Sequence, residues 1–185
     1  MAEHRSMQRA ALLDAARGLL AEGGMDALTF PALAARTGLA RSSVYEYFRS
    51  RGAVVEELCR IDFPVWAREI EDAMAAAGDD PAAQVEAYVR RQLDAVRDAR
   101  HRAVVAISAG ELDAGARDQI RAAHGRLVEM IVDAVAALGV QRPALVAALL
   151  QGVIRAATRQ LAVPQAEADA VVDEAVAMSL RAVGV

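Results

Sequence analysis

Along residues 6–22 the apolar positions Leu12, Leu13, Ala16, Leu19 and Leu20 recur at steps of three and four, which sets them on one face of an amphipathic helix. Gly23-Gly24 is expected to end it. Thr29 then precedes Phe30-Pro31, the order of a side-chain N-cap followed by proline in the first turn, where a missing N–H has no helical partner to lose. The spacing predicts a short second helix to about Thr37, closed by Gly38, and a third that begins within three residues. Ser50 is expected to cap a fourth helix, which carries Val54, Val55, Leu58, Ile61 and Val65 toward the Gly78-Asp79-Asp80-Pro81 break. Pro64 marks where that helix is expected to kink, because an interior proline removes one ladder hydrogen bond.

Beyond Pro81 the pattern predicts helices over residues 82–97, 102–109 and about 114–138, the last ended by Gly139. Pro143 opens another to about Leu161, and Pro164 a final one running nearly to the C-terminus. No strand pattern, internal repeat or low-complexity segment interrupts them. The expected fold class is all-α, with about nine helices. Composition points the same way: 55% of the 185 residues are hydrophobic but only 4% aromatic, with alanine and leucine dominating. That length allows one substantial core, or a small domain joined to a larger one.

The formal net charge of −4 argues on its face against a nucleic-acid partner, yet its distribution is uneven. Residues 1–60 carry a net charge of +1 and the remainder −5, a weakly basic head on an acidic body. Cys59, the single cysteine, sits in a helical run without metal-ligand partners at useful spacing, so a buried structural thiol is favoured over a redox sensor. The histidines, His4, His101 and His124, have no ligand-spaced partners either, and there is no phosphate-binding glycine loop. No catalytic residue, metal or cofactor is expected, and the chain does not read as an enzyme. No apolar run reaches the ~18 residues of a membrane span and the start lacks a signal-peptide core, so a cytoplasmic location without membrane partners is expected.

Two short helices joined by a tight turn pack only if a small residue lies at their crossing, a glycine at the turn and an aliphatic plug on the second helix. Ala34, Gly38 and Val44 occupy those places, with Leu33, Leu39, Tyr47 and Phe48 available for the surrounding core. The wider stretch runs Leu12-Leu13-x-Ala15-Ala16-x2-Leu19-Leu20-x-Glu22-x-Gly24. It continues with Thr29-x3-Leu33-Ala34-x3-Gly38-Leu39, and then Val44-Tyr45-x-Tyr47-Phe48-x-Ser50-Arg51. Over roughly residues 9–58 this resembles the TetR family of transcriptional regulators, and the Tyr-x-Tyr-Phe after the turn is its most specific part. The resemblance implies a helix-turn-helix DNA-binding domain at 1–52 and a helical effector-binding and dimerisation domain at 53–185.

By that resemblance the third helix enters the major groove, with Arg41, Ser42 and Ser43 as base-reading candidates. Tyr45 and Tyr47 would contact phosphate or base, although Tyr47 is equally suited to the core with its tip exposed. Thr29, with the free N–H groups of its helix start, and Arg51 would hold phosphates. Three departures stand out. Ala40 replaces the usual capping Ser or Thr, so the helix either begins one residue later, with Ser42, or is weakly capped. Glu46 faces DNA, where pairing with a nearby arginine is favoured over accepting from a cytosine. Pro31 stands where some members carry a polar DNA contact.

The second domain is expected to pair with its copy through the last two helices. Leu145, Leu149, Val153, Ala156 and Ala157 line one side of the first, and Val171, Val172, Ala175, Ser179 and Val183 one side of the second, with Gly152 allowing close approach. For a small hydrophobic effector the candidate contacts are Trp66, Tyr88, Gln92, His124 and Met130. The expected function is a regulator, most simply a repressor, that binds palindromic double-stranded DNA as a homodimer and is released by that effector. The alternative is a helical protein-interaction regulator without DNA binding.

Overall fold

A computed structural model describes residues 2–95, 103, 114–161 and 165–185. The described residues form helices joined by short connections and include no strand. We number the helices α1 (Ala2–Ala27), α2 (Phe30–Thr37), α3 (Arg41–Tyr47), α4 (Arg51–Ala76), α5 (Pro81–Ala95), α6 (Ala114–Ala137), α7 (Pro143–Gln160) and α8 (Gln165–Val183). The helix expected at 102–109 lies outside the described residues except for Ala103, which is helical and buried. Among the described residues no helix is long and apolar enough to cross a membrane, and no group of three His, Cys, Asp or Glu residues is placed to hold a metal ion.

The chain divides into two compact units, Met1–Pro64 with Asp98–Arg121 and Val65–Arg97 with Ala122–Val185. The first reaches beyond residue 52, the boundary that the resemblance implies. Val54, Val55, Leu58 and Phe63 are all buried, and Asp62 is bonded to Arg17 of α1, so the first half of α4 is part of that core. Leu12, Ala16, Leu20, Leu28, Leu33 and Val44 complete it. Each fully buried aliphatic side chain stabilises by about 1.5–3 kcal/mol relative to its exposed state. Helix α1 is interrupted at Gly23 and Gly24, where Gly24 takes φ 64° and ψ −157°, a conformation closed to other residues. Helix α4 continues through Pro64. Both Pro64 and Arg60, whose carbonyl the proline leaves without its helical donor, lie on the exposed side of the helix.

In the second unit α5 packs on α7 and α8, which also pack on each other. Helix α5 contributes Val85, Tyr88, Val89 and Leu93, α7 contributes Ala147, Leu150, Ile154 and Ala157, and α6 contributes Leu127, Ile131 and Val135. The stripe expected on α8 for a second subunit faces inward instead. Val172, Ala175, Ser179 and Val183 are buried within the chain, because α8 lies against both α5 and α7, and the Ser179 hydroxyl donates to the Ala175 carbonyl at 2.7 Å. Ala157 of α7 is likewise internal, whereas Leu145 and Leu149 remain 51% and 60% exposed.

Candidate nucleic-acid interface

Local sequence fixes the turn between α2 and α3. The Thr29 hydroxyl oxygen accepts from the Ala32 N–H at 3.3 Å, capping α2, and Pro31 follows in the first turn. At the other end Gly38 takes φ 69°, and the Leu39 N–H donates to the Ala34 carbonyl at 3.2 Å. Helix α3 begins at Arg41, with Ala40 in the capping position and no side-chain bond there, so the weakly capped alternative is the one realised. The main chain closes the first turn alone, through Ser43 N–H to Ala40 O at 2.9 Å.

With only seven residues, α3 divides cleanly into two faces. Val44 is wholly buried and Phe48, just past the helix, nearly so. Arg41, Ser42, Tyr45 and Glu46 are exposed, and their i, i+1, i+4, i+5 spacing puts them on one side. Ser43 is half-buried at the edge of that face. Tyr45 is 50% exposed and leans edge-on against Phe30 of α2, with ring centroids 4.5 Å apart, so its hydroxyl is presented outward on a supported ring.

Tyr47 turns the other way. It is half-buried, its hydroxyl donates to the Gln8 side-chain carbonyl of α1, and the Arg5 guanidinium lies 5.8 Å from its ring centre. Of its two sequence readings the packing role is the one this placement favours. Arg9 lies 4.8 Å from the Phe48 ring centre and pairs with Glu57 of α4 at 3.1 Å. The Glu57 carboxyl is held below the usual carboxylate range, first by the Arg60 hydrogen bond and then by Arg9, against the opposing effect of burial. Residues 5–9 of α1 thus brace the end of α3. Sequence reasoning gave them no role, although Arg5, Gln8 and Arg9 fall at the helical spacing that makes one face.

Beside Arg5, already placed against Tyr47, the other described arginines of this unit fall into two sets. Arg9, Arg17, Arg36 and Arg60 are engaged with carboxylates. Among the described residues Arg41, Arg49 and Arg51 form no ion pair, and all three are exposed, on α3, the segment after it and the start of α4. Arg51 donates to the Met25 carbonyl at 3.2 Å. Glu46 does not form the expected ion pair among the described residues; Arg5 reaches its main-chain carbonyl at 3.4 Å instead. An outward face with unneutralised guanidinium groups, a serine and a tyrosine hydroxyl is suited to phosphates and base edges, while Glu46 adds an acceptor to it.

Deeper in this unit Arg17 donates from Nε and Nη2 to the two Asp62 oxygens, each at 2.7 Å, and from Nη1 to Asp14. Neither Arg17 nor Asp62 was singled out from sequence. Each nonetheless sits on an apolar stripe, Arg17 between Leu13 and Leu20 and Asp62 between Leu58 and Trp66, and a charge at such a position signals a buried partner.

The effector candidates belong to the second unit. Trp66, Tyr88 and Gln92 are buried and Met130 is half-buried; the His124 side chain lies outside the described residues. Tyr88 and Gln92 stand one turn apart on α5, and Gln151 of α7, unnoticed in the sequence, donates its amide N–H to the Tyr88 hydroxyl.

Residues 12–58 match the family described as bacterial regulatory proteins, tetR family. Over 103 residues, 54% of this chain, the sequence is 37% identical to the HTH-type transcriptional repressor KstR2 of Rhodococcus jostii (strain RHA1). The match spans about half of that relative, 48% of its length. Among solved structures, AibR in complex with isovaleryl coenzyme A and operator DNA is similar with a TM-score of 0.74 at 17% identity, covering 92% of this chain and 97% of that one. The TetR family regulator PfmR from Thermus thermophilus gives a TM-score of 0.72 at 21% identity, again over 92% and 97% of the two chains. FadR from Bacillus halodurans, a fatty acid degradation regulator, gives 0.74 at 15% identity over 94% of each. These likenesses establish a common fold.

Proposed function

We propose that the chain, whose residues 12–58 match the tetR family of bacterial regulatory proteins, is a transcriptional repressor that binds a palindromic DNA operator as a homodimer and releases it when a small apolar effector occupies its second unit. The observation that carries this reading is the outward face of α3, where Arg41, Ser42 and Tyr45 stand exposed while Val44 anchors the helix from behind.

In this reading α3 lies in the major groove. Arg41 reads a guanine through its O6 and N7, a contact worth about 1–3 kcal/mol of discrimination. Ser42 and Ser43 reach neighbouring base edges, and the Tyr45 hydroxyl reaches a base or phosphate. Thr29 with its helix start, Arg49 and Arg51 hold phosphates on either side. Two such heads joined by a two-fold axis require an operator whose half-sites repeat after about 34–36 Å or a multiple. Leu145 and Leu149 of α7 with Met178 of α8, 47–60% exposed in the single chain, supply the apolar surface that a second copy would cover. An effector lowers operator affinity only by binding better to a conformation in which the heads are wrongly spaced. AibR, similar in fold, is described in complex with isovaleryl coenzyme A and operator DNA, the two kinds of ligand that this reading gives the chain.

Selection of bound sites from random duplex DNA tests it. The expected product is an inverted repeat, with affinity that falls steeply as salt rises and is lost in the Arg41→Ala, Tyr45→Ala double variant. A pool without an enriched motif would instead favour regulation through protein contacts.

A further inference from the structure

Glu46 carries a charge that the fold does not use. It is exposed on the outward side of α3, next to Tyr45 and one turn after Ser42. Among the described residues it forms no ion pair, and its carboxylate takes part in no hydrogen bond. The cations nearest to it in sequence are placed elsewhere. Arg41 lies five residues away, outside the steps of three and four at which side chains on a helix meet. Arg49 and Arg51 come after the end of α3. Arg5 donates to the Glu46 main-chain carbonyl at 3.4 Å and lies against the Tyr47 ring, 5.8 Å from its centre. The helix does not favour the charge either. Glu46 is in the last turn of α3, where the carbonyl end opposes an anion, and Arg41 is at the first position, where the amide end opposes a cation. Both charges stand against the local field, so neither packing nor helix formation accounts for them.

We infer that Glu46 selects a cytosine in each half-site of the operator, its carboxylate accepting from the N4 amino group. This rests on the reading that sets α3 in the major groove, and it adds a base contact of opposite polarity to that of Arg41. Phosphates repel a carboxylate, so its favourable contact must lie on the floor of the groove. There guanine presents O6 and N7 and thymine presents O4, all acceptors, while adenine sets its N6 donor beside the N7 acceptor. Cytosine alone offers a donor with no acceptor beside it on the same base, and an ionised carboxylate is an acceptor only. The same charge weakens binding to duplexes without that cytosine, because its repulsion from the phosphates is then uncompensated.

The test selects bound sites from random duplex DNA with the intact wild type, Glu46→Ala and Glu46→Gln. Wild type should yield half-sites with a cytosine whose preference disappears in Glu46→Ala. In Glu46→Gln the preference should move to adenine on the same strand, because an amide donates to N7 and accepts from N6 together. An effect passed through an arginine would lower the preference without moving it. On the selected site, exchanging that cytosine for thymine should weaken wild type at least about fivefold and leave Glu46→Ala nearly unchanged. Glu46→Ala should hold a duplex of unrelated sequence at least as tightly as wild type, and Glu46→Gln should unfold at no lower a temperature, since no partner in the chain is lost. The inference is overturned if Glu46→Ala selects the wild-type motif, if Glu46→Gln lowers the preference without moving it, or if either substitution weakens binding to every duplex alike. A wild-type protein that enriches no motif sinks the regulator reading and this inference with it. A wild-type motif that Glu46→Ala leaves intact sinks this inference alone.

Discussion

Replacing Arg17 by methionine is expected to cost more stability than replacing Asp62 by alanine, because the two ends of their ion pair are not equally provided for. Asp62 is 4% exposed and among the described residues its carboxylate is bonded to Arg17 alone, through two bonds of 2.7 Å. Arg17→Met leaves that carboxylate buried without a cation, a loss of about 3–5 kcal/mol. In Asp62→Ala the guanidinium keeps its contact with the exposed Asp14 and forfeits two charge-assisted bonds, a loss of about 2–3 kcal/mol. An Arg17→Met, Asp62→Leu double variant buries no charge and fills the space, so it should fall within about 1–2 kcal/mol of wild type, with a large coupling energy in the cycle. Urea denaturation followed by far-ultraviolet circular dichroism, at neutral pH and fixed protomer concentration, measures all four proteins; urea is chosen because it does not screen charge. The reasoning is refuted if Arg17→Met loses less than Asp62→Ala, or if the double variant is as unstable as the worse single one.

Gly38 holds φ at 69°, so Gly38→Ala should lower stability by about 1–2 kcal/mol and Gly38→Asn by less, read from thermal unfolding. Tyr88 stays protonated to about 12 in the folded chain against 10.0 when unfolded. Between those values the unfolded chain loses a proton that the native state keeps, so stability should fall as pH rises by about 1.4 kcal/mol per unit, roughly 3 kcal/mol in all. Alkaline denaturation curves should lose that component in Tyr88→Phe. Wild type should be dimeric by light scattering and a Leu145→Glu, Leu149→Glu variant monomeric, since charges in place of exposed apolar side chains oppose their burial; a dimer retained in the variant at the same concentration would exclude α7 as the shared face.

The elements read most directly from sequence are those whose causes are local. Thr29 before Phe30-Pro31, Gly38 in the left-handed region, the Gly23-Gly24 interruption and Gly139 after α6 act through backbone geometry within a few residues, and each is found where the pattern put it. The outward face of α3 was legible for the same reason, since one buried valine and a helical period of about 3.6 residues are enough to assign its neighbours. The stripe on α8 was not. Periodicity shows that Val172, Ala175, Ser179 and Val183 share a face, but not whether the same chain or a second copy covers it.

By itself the sequence determined an all-helical chain, the position of its tight turn and the residues available to a groove, because helix propensity, capping and amphipathic period are properties of neighbouring residues. Only the tertiary structure decided that Tyr47 is bound to Gln8, that Arg17 reaches Asp62 forty-five positions away, and that Gln151 of α7 donates to the buried Tyr88 hydroxyl of α5. Those outcomes depend on which side chains distant helices bring together and on the cost of leaving a polar group dry, and neither is written in the spacing of any one helix.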